Sequence, residues 1–344
     1  MDEPKISVLI PMYNRKNYIQ DCIDSVLNQT FQDFEIVIRD DYSTDGVFEL
    51  VQKVYAEEIA CGKIRIFRNE KNLGEGANTN LLILDAKGKY FTFLHNDDLY
   101  LPHALKHLYE VAEKTSADVV HASFFFVMND NDFDVNNFNI FSESRSVEKI
   151  TIMPDDSVKR FEEWLSTGTF HDIQYNIYNR KFILDNEIFH EEFEAESLFF
   201  TLWWIMLAKV FVKPPPIFYV RRDTSDSQSG KENFSPAQVK NFITSKIELS
   251  RQMDKLFHKV KLFRDDEYIQ YMIKSHIFIT RDNFFINRLK TYENGITPAL
   301  YDAVADVFKK YFGDDYFYPA LLFHWAHVMP FDKPADKIIK PAES

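Results

Sequence analysis

Five short runs rich in β-branched and aromatic residues recur within the first 127 positions: Ile6 to Ile10 (ISVLI), Glu35 to Arg39 (EIVIR), Ile64 to Phe67 (IRIF), Tyr90 to Leu94 (YFTFL) and Asp118 to Val127 (DVVHASFFFV). Between them lie segments with helical spacing. Asn17 to Gln29 carries Ile19, Cys22, Ile23, Val26 and Leu27 on one stripe, and Val47 to Ala60 and Ala77 to Ala86 follow the next two strands. Pro102 opens a further helix toward Lys114, because its fixed φ suits a first turn. Strands alternating with amphipathic helices build a doubly wound, mostly parallel sheet covered on both faces, which predicts an α/β fold.

The remainder reads differently. An Asn/Asp-rich stretch between Met128 and Asp156 is expected to be a surface loop; it lacks the D-x-D-x-D-G spacing of a calcium loop. Leu198 to Val212 is a 15-residue apolar run containing Lys209, too short for a membrane span and expected to be a buried helix. Phe199, Phe200, Trp203 and Trp204 in it are read as core, although such rings can also stack on a sugar face; Trp164 is a further aromatic of that kind. Pro214 to Pro216 precede a strand-like IFYV, and TSDSQSGKENFSP near residue 230 reads as a linker. The expected division is a sheet domain over residues 1–230 and a helical C-terminal region over 231–344, where aromatic stripes replace β signal.

Charge and cysteine content exclude several classes. Forty Lys and Arg against 53 Asp and Glu give a net charge of −13, the wrong sign for a general nucleic-acid binder. Two cysteines make no disulfide framework, and no Cys/His group has zinc spacing, so a reducing, cytoplasmic setting is expected. The N-terminal residues lack the basic flank and cleavage site of a signal peptide.

Ligands of a doubly wound sheet sit outside the carboxyl ends of its strands. Four such ends are polar here: Pro11-Met12-Tyr13-Asn14-Arg15, Asp40-Asp41-Tyr42-Ser43-Thr44-Asp45-Gly46, Asn69 to Asn80, and His95-Asn96-Asp97-Asp98. The first turn contains no glycine, which excludes G-x-G-x-x-G dinucleotide binding, and no G-x-x-x-x-G-K-[ST] is present. Phosphates must then be met by other means. Asp97 and Asp98 offer hard oxygen ligands of the type Mg²⁺ or Mn²⁺ takes.

ISVLIPMYNR, EIVIRDDYSTDG, NLGEGANTN and AKGKYFTFLHNDD, in that order and spacing, resemble the nucleotide-sugar domain of family 2 glycosyltransferases, which have the GT-A fold. The resemblance covers about residues 5 to 127 and continues more faintly through IYNRKFI, FEAESLFF and FYVRRDTSDSQS, which resemble the acceptor half over 128–230. It implies a nucleoside diphosphate sugar as donor, UDP-linked by preference, and an acceptor hydroxyl on a glycan, lipid-linked glycan or protein. It also implies an inverting single displacement.

The same resemblance implies roles for individual residues. Pro11, Tyr13, Asn14 and Arg15 would line the nucleotide pocket, with Asn80 and Asn96 as further contacts; Asp41 would meet uracil or ribose, and Asp40 either shares that role or caps the next helix. The family's Asp-x-Asp metal motif falls on His95-Asn96-Asp97. Asp97 is the expected ligand with Asp98 beside it, and His95 is left to the donor sugar or to packing. Imidazole in that place favours Mn²⁺ over Mg²⁺. Thr79 stands where the family commonly has an arginine, so the diphosphate would be met by Arg221 and Arg222, with Arg15 and Arg39 as alternatives. The base aspartate is replaced by Ser197, which leaves Glu196 or Glu194 for the proton, with Asp172 and His171 as other options. His95 and Ser197 also motivate a competing expectation, a nucleotide-sugar-binding protein with impaired catalysis. Residues beyond about 235 carry no motif; acceptor binding, peripheral membrane contact and self-association all remain open for them.

Overall fold

The computed structural model describes residues 3–122, 126–129, 150–153, 155–157, 159–160, 173–174, 176–190, 196–213, 219–223, 244 and 255–256. The chain divides into two compact units, Met1–Ser227 and Gln228–Ser344. Only three residues of the second are described, so the expected C-terminal helices lie outside the described residues.

The first unit is built on β1 (Ile6–Met12), α1 (Ile19–Leu27), β2 (Phe34–Asp40), α2 (Val47–Val54), α3 (Ala56–Ala60), β3 (Ile64–Arg68), α4 (Glu75–Asp85), β4 (Tyr90–Phe93), β5 (Leu99–Tyr100), α5 (Ala104–Thr115) and β6 (Val119–His121). There follow β7 (Phe126–Asn129), β8 (Thr151–Ile152), β9 (Asn176–Asn179), α6 (Arg180–Asp185), α7 (Glu196–Leu207), β10 (Phe211–Lys213) and β11 (Tyr219–Asp223). Eight strands form one sheet in the order β3-β2-β1-β4-β9-β6-β10-β8, and β5-β11-β7 form a second. Pairs within β3-β2-β1-β4 are parallel, as the alternation predicts. β9 enters antiparallel to both β4 and β6. The fold is the expected GT-A arrangement.

Both faces of the parallel half are covered, so β1 and β2 are apolar almost without interruption; Val8, Leu9, Ile10, Ile36, Val37 and Ile38 are fully buried. One polar network crosses this core. Ser7 Oγ donates to Glu35 at 2.7 Å and accepts from the Gly88 amide at 2.8 Å, while Arg65 pairs with Glu35 at 3.0 Å. A Cβ on Gly88 would come within 2.6 Å of the Ser7 nitrogen, so only glycine lets the chain pass into β4 here. That passage sets the register of β4 on β1, and with it the height of the residues after Phe93.

Three expectations are refined. The helix read over Val47 to Ala60 breaks at Tyr55, whose ψ of 33° leaves the helical range. The run Asp118 to Val127 is divided between the two sheets as β6 and β7. Leu198 to Val212 is a helix only to Leu207, and its last residues begin β10, where Phe211 and Val212 are fully buried beside β6. Phe200 and Trp204 are fully buried as expected of core. Most of the Asn/Asp-rich stretch lies outside the described residues. Among the described residues no helix is long and apolar enough to cross a membrane.

Candidate functional site

The carboxyl ends of β1, β2 and β4 deliver three loops to one edge of the sheet. The first two are tied together by their own polar groups: the Asn14 N–H donates to Ser43 Oγ, and Asn14 Oδ1 accepts from the Thr44 N–H, both at 2.9 Å. Lys16 N–H donates to Asp45 Oδ2 at 3.0 Å, which extends the seam. Tyr13 and Tyr42, one on each loop, keep 48% of their surface exposed.

Of the adjacent aspartates, Asp40 is fully buried, accepts from the Ser43 N–H and pairs with Arg68 at 3.1 Å. Burial is the main influence on its carboxyl and raises its pKa. Asp41 faces the other way. Its carboxylate accepts from Asn69 Nδ2 at 2.9 Å, from the Leu73 N–H at 2.7 Å and from the Gly74 N–H at 2.9 Å. Asn69 in turn meets Asn78 and Arg39. Asp41 therefore holds the NLGEG segment against the end of β2, beside whatever occupies the edge.

After β4 the chain turns through His95, Asn96, Asp97 and Asp98. One ligand atom from each of His95, Asp97 and Asp98 lies within 4.8 Å of the others. Asp97 is partly exposed and is met by Arg15 Nε at 3.2 Å. Asp98 is only 2% exposed: its Oδ2 accepts from the Tyr219 hydroxyl at 2.5 Å and its Oδ1 from the Arg222 N–H at 2.9 Å. Burial raises the Asp98 pKa to about 6 despite the lowering effect of His95 and of these hydrogen bonds. His95 is partly exposed, with Gln174 against its ring and Glu75 Oε1 3.7 Å from Nε2. Two carboxylates and an imidazole are a donor set that a divalent cation of the Mn²⁺ or Mg²⁺ type accepts, Asp97 being the accessible oxygen donor and Asp98 the braced one.

The remaining expected residues are placed less uniformly. Pro11 lies within β1, half-buried, and Asn96 is 9% exposed in the β4 turn. Asn80 has both ends of its amide on the His190 backbone, donating to its carbonyl at 2.8 Å and accepting from its N–H at 2.7 Å. It thereby clamps the backbone at His190. Arg221 is exposed on β11, whereas Arg222 is 7% exposed and turns to α1, pairing with Asp21 at 2.7 Å over the Tyr18 ring. Arg39 is held by Asp85 and Asn69. Glu196 is the first residue of α7; Glu194, His171, Asp172 and Trp164 lie outside the described residues. His190 stacks on Phe200 at 4.5 Å, and burial pushes its imidazole down to about 3, so it is a neutral core group.

Sequence reasoning missed Tyr219 and Arg68. The first clamps Asp98. The second joins Asp40, Glu49 and the Ser43 carbonyl while lying over the Phe48 and Tyr42 rings. Their distance in sequence from the motifs they serve gives no local signal.

Residues 7–186, more than half of the chain, match the family described as glycosyl transferase family 2. An uncharacterized glycosyltransferase of Rickettsia bellii is 39% identical over 112 residues, 32% of this chain and 15% of that protein. GlyG of Streptococcus pneumoniae serotype 4 is 32% identical over 120 residues, 35% of this chain and 39% of that protein. Chondroitin synthase of Pasteurella multocida is 40% identical over 103 residues, 30% of this chain and 10% of that protein. The chain thus matches well under half the length of each of these relatives. Among solved structures, S. aureus TarS 1–349 in complex with UDP-GlcNAc superposes with a TM-score of 0.59 at 22% identity, over 89% of this chain and 81% of that one. A second crystal structure of S. aureus TarS 1–349 gives 0.58 at 22% identity, over 94% and 86%. These two share the fold.

Proposed function

The chain belongs to glycosyl transferase family 2, and on that premise we propose that it transfers a sugar from a UDP-linked donor to an acceptor hydroxyl on a glycan, lipid-linked glycan or protein, by inverting single displacement. The observation that carries this reading is the convergence of His95, Asp97 and Asp98 at the end of β4, next to the loops of Tyr13 and Asp41. The TarS structure of the same fold holding UDP-GlcNAc supports a uridine donor.

In this reading the nucleoside lies along the β1 and β2 loops, with Tyr13 exposed for the base and the Asp41 network shaping the floor. The diphosphate extends toward Asp97. Arg15 and the exposed Arg221 supply positive charge to the leaving group, with Arg222 fixing β11 rather than touching phosphate. Asp97 and Asp98, with His95 beside them, would hold a divalent cation, Mn²⁺ by preference, and when bound that ion would supply charge stabilisation to the departing UDP. The acceptor hydroxyl attacks the anomeric carbon as the bond to UDP breaks, and its proton passes to Glu196, the first residue of α7, or to Glu194.

The test is UDP release by the full chain from a panel of UDP-sugars, with Mn²⁺ and with EDTA. Turnover of one donor that EDTA abolishes is the expected result. Binding of UDP-sugars without any turnover in the presence of acceptor extracts favours the alternative of a binding protein, which His95 and Ser197 motivate.

A further inference from the structure

Tyr42 occupies a backbone position it would not adopt by preference. Its φ is 63°, in the left-handed region that bulky side chains avoid at a cost of roughly 1–2 kcal/mol. The residue keeps 48% of its surface exposed, so burial offsets only part of that cost. The Arg68 guanidinium lies 5.7 Å from the ring centroid. Arg68 is itself fixed by Asp40, Glu49 and the Ser43 carbonyl, so it is a rigid backing for the ring. The next residue, Ser43, is bonded to Asn14, which also has a positive φ of 45° and directly follows the exposed Tyr13. Asn14, through Ser43 and Thr44, thus ties together the two loops that each present an open aromatic ring at the carboxyl edge. The residue before Tyr42 is Asp41, whose carboxylate orders the NLGEG segment that follows β3.

An exposed, strained and rigidly backed aromatic ring at a ligand edge has the properties of a stacking platform. We propose that Tyr42 is a donor-binding residue that stacks on the nucleobase, a second aromatic contact beside that of Tyr13. The inference rests on the nucleoside diphosphate reading above. It adds a base contact at a position where turn formers surround the tyrosine in sequence.

The experiment is calorimetric titration of UDP and UMP into the full-length protein and its Tyr42→Gly and Tyr42→Phe variants, alongside thermal unfolding. Glycine relieves the left-handed strain, so Tyr42→Gly is expected to raise or leave unchanged the unfolding temperature while weakening UDP and UMP by the same factor, about fivefold to a hundredfold. Tyr42→Phe retains the ring and is expected to bind as wild type. Wild-type affinity for UDP in a folded Tyr42→Gly variant overturns the inference and leaves the UDP-donor reading standing. A loss for UDP but not for UMP also overturns it, because the contact would then be to phosphate. Failure of the wild type to bind any nucleoside diphosphate overturns both.

Discussion

Replacing Asp41 with alanine removes one buried carboxylate that accepts three hydrogen bonds, from Asn69 Nδ2, the Leu73 N–H and the Gly74 N–H. Hydrogen bonds to a charged group are each worth about 1.5–3 kcal/mol net, and a buried donor left without a partner costs about 1–3 kcal/mol. Leu73 and Gly74 are exposed, so water recovers part of their loss. Asn69 is buried and its Nδ2 keeps only Asn78 Oδ1. Summing the low end for the two exposed amides and a mid-range cost for Asn69 gives about 3–5 kcal/mol. With a urea dependence of about 3 kcal/mol per molar, the unfolding midpoint of the sheet unit should fall by at least about 1 M. Amide exchange at Leu73 and Gly74 should accelerate at the same time, because their acceptor is gone. A midpoint unchanged within error, or unchanged exchange at those two amides, refutes the argument that Asp41 anchors the NLGEG segment.

Asp98 gives a pH signature. Its carboxyl titrates near 6 in the folded protein against an ordinary 3.8, so its ionisation opposes folding by about 3 kcal/mol at pH 7, and that cost disappears as pH falls below about 4, where both states are protonated. In EDTA, the stability of wild type relative to Asp98→Asn should therefore rise by up to about 3 kcal/mol between pH 7 and pH 4 in denaturant titrations; a flat difference contradicts the burial of Asp98. For the base, Glu196→Gln and Glu194→Gln are expected to differ: one loses transfer by on the order of a hundredfold or more while keeping UDP affinity, and the other stays near wild type. Transfer intact in both variants rules out both carboxylates as the base.

The parallel half of the fold is legible in the sequence because both faces of its strands are buried. Ile36, Val37 and Ile38 are apolar in succession, and a run of that kind followed by a helical stripe has few other solutions. The strand ends are legible for the same reason, since polarity begins where burial stops. What escapes is long-range. β9 pairs with β4 and β6 although about 85 and 55 residues separate it from them, and no local pattern announces an inserted antiparallel strand. Arg221 and Arg222 look equivalent in sequence, yet strand alternation exposes one and turns the other toward Asp21. Asn80 is polar in a ligand-binding motif but spends its amide on the His190 backbone, a partner 110 residues away. Asp98 reads as a metal ligand by adjacency to Asp97, and the structure keeps it in the His95, Asp97 and Asp98 group while bracing it with Tyr219 and the Arg222 amide, partners that no local pattern announces.

The most direct test of the account is the Asp97→Ala variant, measured against wild type for UDP release from the productive donor and for Mn²⁺-dependent UDP binding. Asp97 is partly exposed, held only by Arg15 among the described residues, so the variant should fold with little change in stability. Cation-assisted stabilisation of a leaving diphosphate is worth several kcal/mol, and each 1.36 kcal/mol is tenfold in rate. The account predicts that turnover falls by on the order of a hundredfold or more and that Mn²⁺ no longer strengthens UDP binding. An Asp97→Ala protein that releases UDP at the wild-type rate and retains the Mn²⁺ effect would contradict the placement of the donor diphosphate at the end of β4.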